Sequence, residues 1–136
     1  MSAEKVIFNL LKSHAPLTAI VPVARIYPSV IPLTATLPAI SYSHVSTVEE
    51  TDIGLNTEVV RSRIQVTVAV SGTDSKSYAK VKELINLITA ACNHKKGTFN
   101  GVDTKSVIRD VLSPDFRDDD SGVSYQSIDF RVVYKE

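Results

Sequence analysis

Two stretches of the chain alternate with a period of two. Ile64, Val66, Val68 and Val70 alternate with Arg63, Gln65, Thr67 and Ala69; Ile128, Phe130, Val132 and Tyr134 alternate with Ser127, Asp129, Arg131 and Val133. Successive side chains of a strand point to opposite faces, so each stretch predicts a β-strand with one apolar and one mostly polar face. Ala39–Val45 repeats the alternation, and Val59–Val70 and Val123–Tyr134 set the limits of the two main strands. Val123 and Tyr125 fall out of phase with Ile128 and Phe130, which predicts a bulge near Gln126. Val107–Leu112 reads as a further strand, and Arg117–Gly122 as the connection to the last one. Asn100-Gly101 between Thr98-Phe99 and Val102 is a hairpin turn signal.

Elsewhere the period is helical. Tyr78, Val81, Ile85, Ile88 and Cys92 form one stripe, widened by Leu84, Leu87 and Ala91. Asp74 or Ser75 can cap this helix. His94, Lys95 and Lys96 suit its negative end, and Gly97 can close it. Ala3, Val6, Ile7, Leu10 and Leu11 make a shorter helix that Ser2 can cap. Pro16 ends it or begins a short turn over Leu17–Ile20. Arg25–Pro28 is a short extended piece, and Pro28–Pro38, with three prolines, reads as a loop. Ser46–Glu58 is polar and acidic and contains Gly54; it predicts a long, mobile loop, of the kind that commonly carries function.

The elements run helix, strands, helix, strands. They predict an α+β fold: an antiparallel or mixed sheet packed by one long helix, with an additional N-terminal helix, in a single domain over 1–136. The long helix must bury its stripe on one sheet face. The other face carries Arg63, Gln65, Thr67, Ser127, Asp129 and Arg131 and can meet water, a partner or a channel.

Charge and chemistry narrow the picture. Fifteen Lys and Arg balance fifteen Asp and Glu, so no global field draws the chain to nucleic acid or opposes self-association. The single cysteine, Cys92, excludes an intrachain disulfide, and on the apolar stripe it acts as a small hydrophobe. No apolar run reaches the roughly 18–20 residues that cross a bilayer, and the N-terminus lacks the pattern of a signal peptide. A cytoplasmic product is expected. His14, His44 and His94 fall on separate elements and do not form a ligand set. No Gly-x-Ser-x-Gly elbow and no Gly-rich phosphate loop occur. Asp118-Asp119-Asp120 lacks the spacing of a calcium loop, and reads as a solvated hairpin tip or as a surface that repels DNA or docks a basic partner. No catalytic, cofactor-binding or metal-ligating residues are expected.

Several segments together resemble the phage tail-completion and tail-terminator family of long-tailed phages and prophages. They are the first helix with Val6, Leu10 and Leu11; Arg25-Ile26-Tyr27-Pro28; Leu37-Pro38-Ala39-Ile40-Ser41-Tyr42; Arg63-Ile64-Gln65-Val66; the helix beginning near Ser77-Tyr78; and Ser127-Ile128-Asp129-Phe130-Arg131-Val132. The Tyr-Pro, spacer, Leu-Pro-x-Ile-x-Tyr order is the most specific part. The resemblance implies a structural subunit that forms a homo-oligomeric, typically hexameric, ring. Such a ring caps the tail-tube protein, stops its polymerisation and meets the head connector or neck, while DNA passes through the lumen. It implies no cofactor, no turnover and no membrane, with assembly in the host cytoplasm and residence in the virion tail. On that reading Val48, Glu49, Glu50, Ile53 and Leu55 of the long loop contact a neighbour or the tube. Asp118, Asp119 and Asp120 then face the lumen. Alternatives are another tail-tube or neck component, an unrelated α+β binding domain, or a small enzyme with Ser46–Glu58 as a lid.

Overall fold

The computed structural model describes residues 2–55 and 57–135, apart from the side chains of Thr57 and Glu58. It is an α+β fold. Helix α1 (Ser2–Lys12), short helix α2 (Ala15–Thr18) and a 3₁₀ turn (Val23–Arg25) lead into strand β1 (Ile26–Pro28). Strands β2 (Ala39–Thr51) and β3 (Thr57–Ser71) precede the long helix α3 (Ser75–Cys92). Strands β4 (Lys95–Phe99), β5 (Val102–Leu112), β6 (Phe116–Asp118) and β7 (Val123–Lys135) complete the chain. One mixed sheet joins them in the order β1-β2-β3-β7-β5-β4, with β6 also paired to β7. Among the described residues only β1 and β2 are parallel.

The helices lie on one sheet face, because only that face is apolar. Ile64, Val66 and Val68 of β3 and Ile128, Phe130 and Val132 of β7 are buried there against Val81, Leu84, Ile85 and Ile88 of α3. Ala3, Val6, Ile7, Leu10 and Leu11 of α1 fill the same core. The α3 cap is Asp74, whose carboxylate accepts from the Ser77 amide at 2.9 Å. The Ser77 hydroxyl donates to the Ser71 carbonyl at 2.9 Å, which ties the helix start to the end of β3. Gly72 makes this close approach possible. Its φ is +100°, and a Cβ there would stand 2.3 Å from the Ser77 oxygen.

Several expectations change. Ser2 is the first helical residue of α1 rather than its cap. Tyr78 is half exposed and buried Ser77 takes its place on the inner face; the Lys82 ammonium sits 4.9 Å over the Tyr78 ring. α3 stops at Cys92, and His94, not Gly97, takes the left-handed turn at φ +57°, so Lys95 and Lys96 enter β4. β7 has no bulge at Gln126, since its register with β3 is continuous from Val60↔Tyr134 to Ser71↔Val123. Polar Ser124 and Gln126 instead occupy core-face positions. They are tolerated because Ser124 donates to the Gly72 carbonyl at 2.7 Å, while Gln126 donates to the Ser113 carbonyl and accepts from Lys82. The bulges lie on β2 near His44–Ser46 and on β5.

The largest difference is Ser46–Glu58. It is a hairpin rather than a long loop: β2 and β3 stay paired through Thr47↔Ser62, Val48↔Arg61, Glu49↔Val60 and Glu50↔Val59. Only 52–55 lie outside strands among its described residues, and Asn56 lies outside the described residues. The Leu55 amide closes the turn on the Asp52 carbonyl at 3.0 Å, with Leu55 itself at φ +65°. The polar sequence reflects a two-stranded arm with no core beneath it.

Candidate assembly surface

The sheet face opposite the helices is open, and the register fixes its composition. Arg63 stands beside Arg131, Gln65 beside Asp129 and Thr67 beside Ser127. Arg61 precedes Arg63 on the same side of β3, and Asp110 of β5 reaches in from the neighbouring strand. The charges are paired within the sheet. Arg63 binds Asp129 through Nε at 2.6 Å and through its terminal nitrogen at 2.5 Å. Arg131 meets Asp110 at 3.4 Å, and Arg61 meets Glu50 at 2.8 Å. Thr67 and Ser127 share a hydrogen bond of 2.8 Å. Asp129 is only 2% exposed, and its Oδ1 has no hydrogen-bond partner among the described residues.

The two ends of this face differ. At one end the β2–β3 arm rises past the ends of β5 and β7. Val48 is 61% exposed, and Ile53 and Leu55 at its turn are 104% and 85% exposed. Glu49 and Glu50 are exposed on its β2 strand. At the other end the proline-rich segment after β1 folds over the open face. With Ser41, Thr67, Ala69, Val123 and Tyr125 it lines an open pocket of about 340 Å³. Val30 and Leu33 on this segment are themselves exposed. Ser121, beside the acidic tip, also lines the pocket.

Asp118, Asp119 and Asp120 do sit at a hairpin tip, between β6 and β7, but they are not equivalent. The Asp118 carboxylate turns back and accepts from the Asp120 amide at 3.1 Å and the Ser121 amide at 3.5 Å. It shapes the turn, which leaves Asp119 and Asp120 exposed. The arm residues and the acidic tip are therefore at opposite ends of one strand ladder.

His44 contacts Thr47, which continues through Ser62 at 2.9 Å to Tyr134 at 3.3 Å, bracing the bulge on β2. His14 precedes α2, and His94 is exposed after α3. Burial pushes the Cys92 thiol far above its ordinary pKa, and burial with nearby Glu4 raises Tyr42. The Ser77 amide and hydroxyl hold the Asp74 carboxyl below its usual range. No group of three His, Cys, Asp or Glu side chains placed to hold a metal occurs among the described residues. No helix among them is long and apolar enough to cross a membrane.

The alternation of β3 and β7 places Arg63, Gln65, Thr67, Ser127, Asp129 and Arg131 on one face from sequence alone. Asp110 was not legible as a member, because β5 joins β7 through two irregularities that shift its phase; Arg61 lies in phase with Arg63 on β3 and extends the same set by one position. The lining of the pocket by the proline-rich segment carried no sequence signal beyond the prolines themselves.

The resemblance motif has a structural basis. Its Tyr-Pro and Leu-Pro-x-Ile-x-Tyr pieces are the parallel pair β1 and β2, with Tyr27↔Ser41 and Pro28↔Tyr42 in register. Arg25 donates to the Pro38 carbonyl at 3.4 Å, joining the two pieces where they begin. Among solved structures, the chain resembles one from the virion of a native gene transfer agent particle. The TM-score is 0.74 at 15% identity, covering 96% of this chain and 92% of that one. A second solved chain matches at TM-score 0.64 and 12% identity, covering 100% of this chain and 97% of the other. At such identities the likeness shows a shared fold. No curated protein matches the sequence. The family model described as Tail completion protein gp17 matches residues 5–135, and the chain belongs to that family of structural phage-tail assembly proteins.

Proposed function

We infer that the chain is a ring-forming tail-completion subunit. It caps the last ring of the tail tube, stops further polymerisation and joins the tail to the head connector or neck. The observation that carries this reading is the two-ended sheet: an exposed apolar arm at one end, a proline-rich segment with an acidic tip at the other, and a charge-paired polar face between them. A subunit that must bind a tube on one side and not propagate it needs two chemically different ends. Closed rings arise from heterologous contacts whose rotation returns on itself, and a hexamer would match the symmetry expected of such tails. Val48, Glu49, Glu50, Ile53 and Leu55 supply the contact to a neighbour or the tube. Asp119 and Asp120, with Asp118 holding their turn, lie toward the lumen or its mouth and keep passing DNA from adhering. The subunit acts by binding alone, without turnover, cofactor or membrane. It assembles in the host cytoplasm and resides in the virion tail of a phage or prophage.

The test is assembly in cells that make every other particle component but not this chain. Tails of uncontrolled length and heads without tails are expected, and the added chain should restore joined particles. Normal tail length and normal joining in its absence would refute the reading. Retention of the pure chain by tube protein, at one tube end in electron micrographs, separates it from a tube subunit, which would line the whole length.

A further inference from the structure

The sheet has two free edges on opposite sides. β1 covers β2 only from Ile40 to Tyr42, so Ser43–Thr51 has no outer strand among the described residues. On the far side β4 covers β5 as far as Val107, and the Asn93 side chain takes the Arg109 amide. From Asp110 to Asp118 the outer side of β5 and β6 carries no strand among the described residues. An uncovered edge offers amide and carbonyl groups to another chain. We propose that a second copy of this chain covers it: the β2 edge of one copy pairs antiparallel with the β5–β6 edge of the next, and repetition closes the ring. The proposal rests on the tail-completion reading above and specifies its subunit contact.

Three features fit the edges to each other. The first is extent and direction. β2 offers nine residues, Ser43–Thr51, and the opposite edge spans the seven β7 levels from Asp129 to Val123. β5 and β6 run against β2, so copies related by rotation meet antiparallel.

The second is stagger. The middle of the β2 edge, Thr47, lies level with Ser62 and Val132, whereas the middle of the other edge lies level with Gln126. That offset is about six residues, or roughly 20 Å at the rise of a strand, across four strands about 19 Å wide. Copies joined edge to edge at equal height must then tilt their strands by about 45°, at the upper end of the tilt found in closed barrels. Flush edges would have given upright strands and no such closure.

The third is side-chain chemistry. Glu49 on β2 and Arg109 on β5 make no side-chain hydrogen bond or ion pair among the described residues. Their cross-strand partners Val60 and Phe130 are both core-face residues, so both charges project to the helix side of the sheet. The stagger brings them within about two rungs of each other across the joint, which is reach enough for long side chains. Exposed Val45 and Val48 on one edge and Val111 and Leu112 on the other supply apolar cover. The bulges on β2 and β5, with Pro114, break both edges against indiscriminate strand addition, so a matched partner is required.

The test uses assembled particles. In the Arg109→Lys chain a carbodiimide can join the introduced amine directly to the Glu49 carboxylate. Within one copy β3 and β7 separate these two positions by three strand spacings, about 14 Å, so a zero-length link reports contact between copies. A cross-linked peptide joining positions 49 and 109 is expected by mass spectrometry. Glu49→Arg and Arg109→Glu should each cut the yield of tailed particles at least tenfold while melting normally. The double reversal should restore yield to within about threefold of the parent, as complementary charges at a joint require. Particles that contain the chain but yield no 49–109 peptide would overturn the edge contact alone. So would single reversals that assemble normally, or a folded double reversal that stays defective. Absence of the chain from purified particles would overturn the tail-completion reading as well.

Discussion

The pair Arg63–Asp129 predicts an asymmetry that can be measured. Asp129 is almost fully buried at 2% exposure, while the Arg63 side chain is 39% exposed. Replacing Arg63 with Ala leaves a carboxylate enclosed by the sheet without its two bonds from the guanidinium. Breaking a buried pair in that way costs about 3 kcal/mol. The nearby guanidinium of Arg131 is already engaged with Asp110. Replacing Asp129 with Ala leaves an arginine that can turn to water, and Asp110 already lies 3.9 Å away. It also removes Oδ1, a buried acceptor with no partner among the described residues, whose desolvation offsets part of the loss. The net cost should be about 1 kcal/mol or less. For a chain of 136 residues that difference is roughly 6–8 °C in melting temperature.

Urea and thermal unfolding of Arg63→Ala, Asp129→Ala and the double variant would measure it. The double should resemble Asp129→Ala alone, because Arg63 matters mainly as the counter-charge. A loss for Asp129→Ala equal to or larger than that for Arg63→Ala would refute the argument and point instead to an essential role of the aspartate backbone region.

Three further outcomes follow from the packing. Ile85→Asp should cost several kcal/mol, enough to abolish a cooperative melt near room temperature, because it places an unpaired charge under α3. Cys92 should resist thiol reagents in the native chain and react on unfolding. Since burial raises its folded-state pKa, the stability it contributes is present below the ordinary thiol pKa of about 8.5 and declines above it, which pH-dependent melts can follow. Ile53→Ser with Leu55→Ser should leave the melt within about 1 kcal/mol, because both side chains are exposed, yet lower the yield of joined particles.

Much of the fold was legible because long elements report themselves. α3, β3 and β7 each carry enough repeats that their period survives a polar intruder such as Ser77 or Gln126. The bulge expected near Gln126 shows the limit: the alternation was intact, and Lys82, Ser113 and Gly72 made polar core-face residues acceptable. Such partners are distant in sequence, so no local pattern could reveal them. The arm was missed for a related reason. Glu49 and Glu50 sit where no helix or second sheet covers the strands, so they lack the alternation that burial imposes. The strand geometry of Val48, Glu49 and Glu50, and hence the free edge, required the register of β2 on β3.

The charge pattern of the open face bears on whether the proposed ring could pass DNA without holding it. Arg61, Arg63 and Arg131 would form a phosphate-binding stripe if their guanidinium groups were free, but Glu50, Asp129 and Asp110 occupy them. Glu50→Gln with Asp110→Asn should therefore release Arg61 and Arg131 while leaving the buried Arg63–Asp129 pair intact. Both changes keep side-chain shape, and both ion pairs are partly solvated, so the melt should shift by less than about 1 kcal/mol per site. The variant should gain binding to duplex DNA at low salt. Two freed arginines predict a slope of up to about −1.8 in log affinity against log salt, whereas the parent should show little binding. In particles the same variant should package DNA and release it slowly. If it bound DNA no better than the parent at low ionic strength while remaining folded, neutralisation of the arginines would not be what keeps this face from adhering.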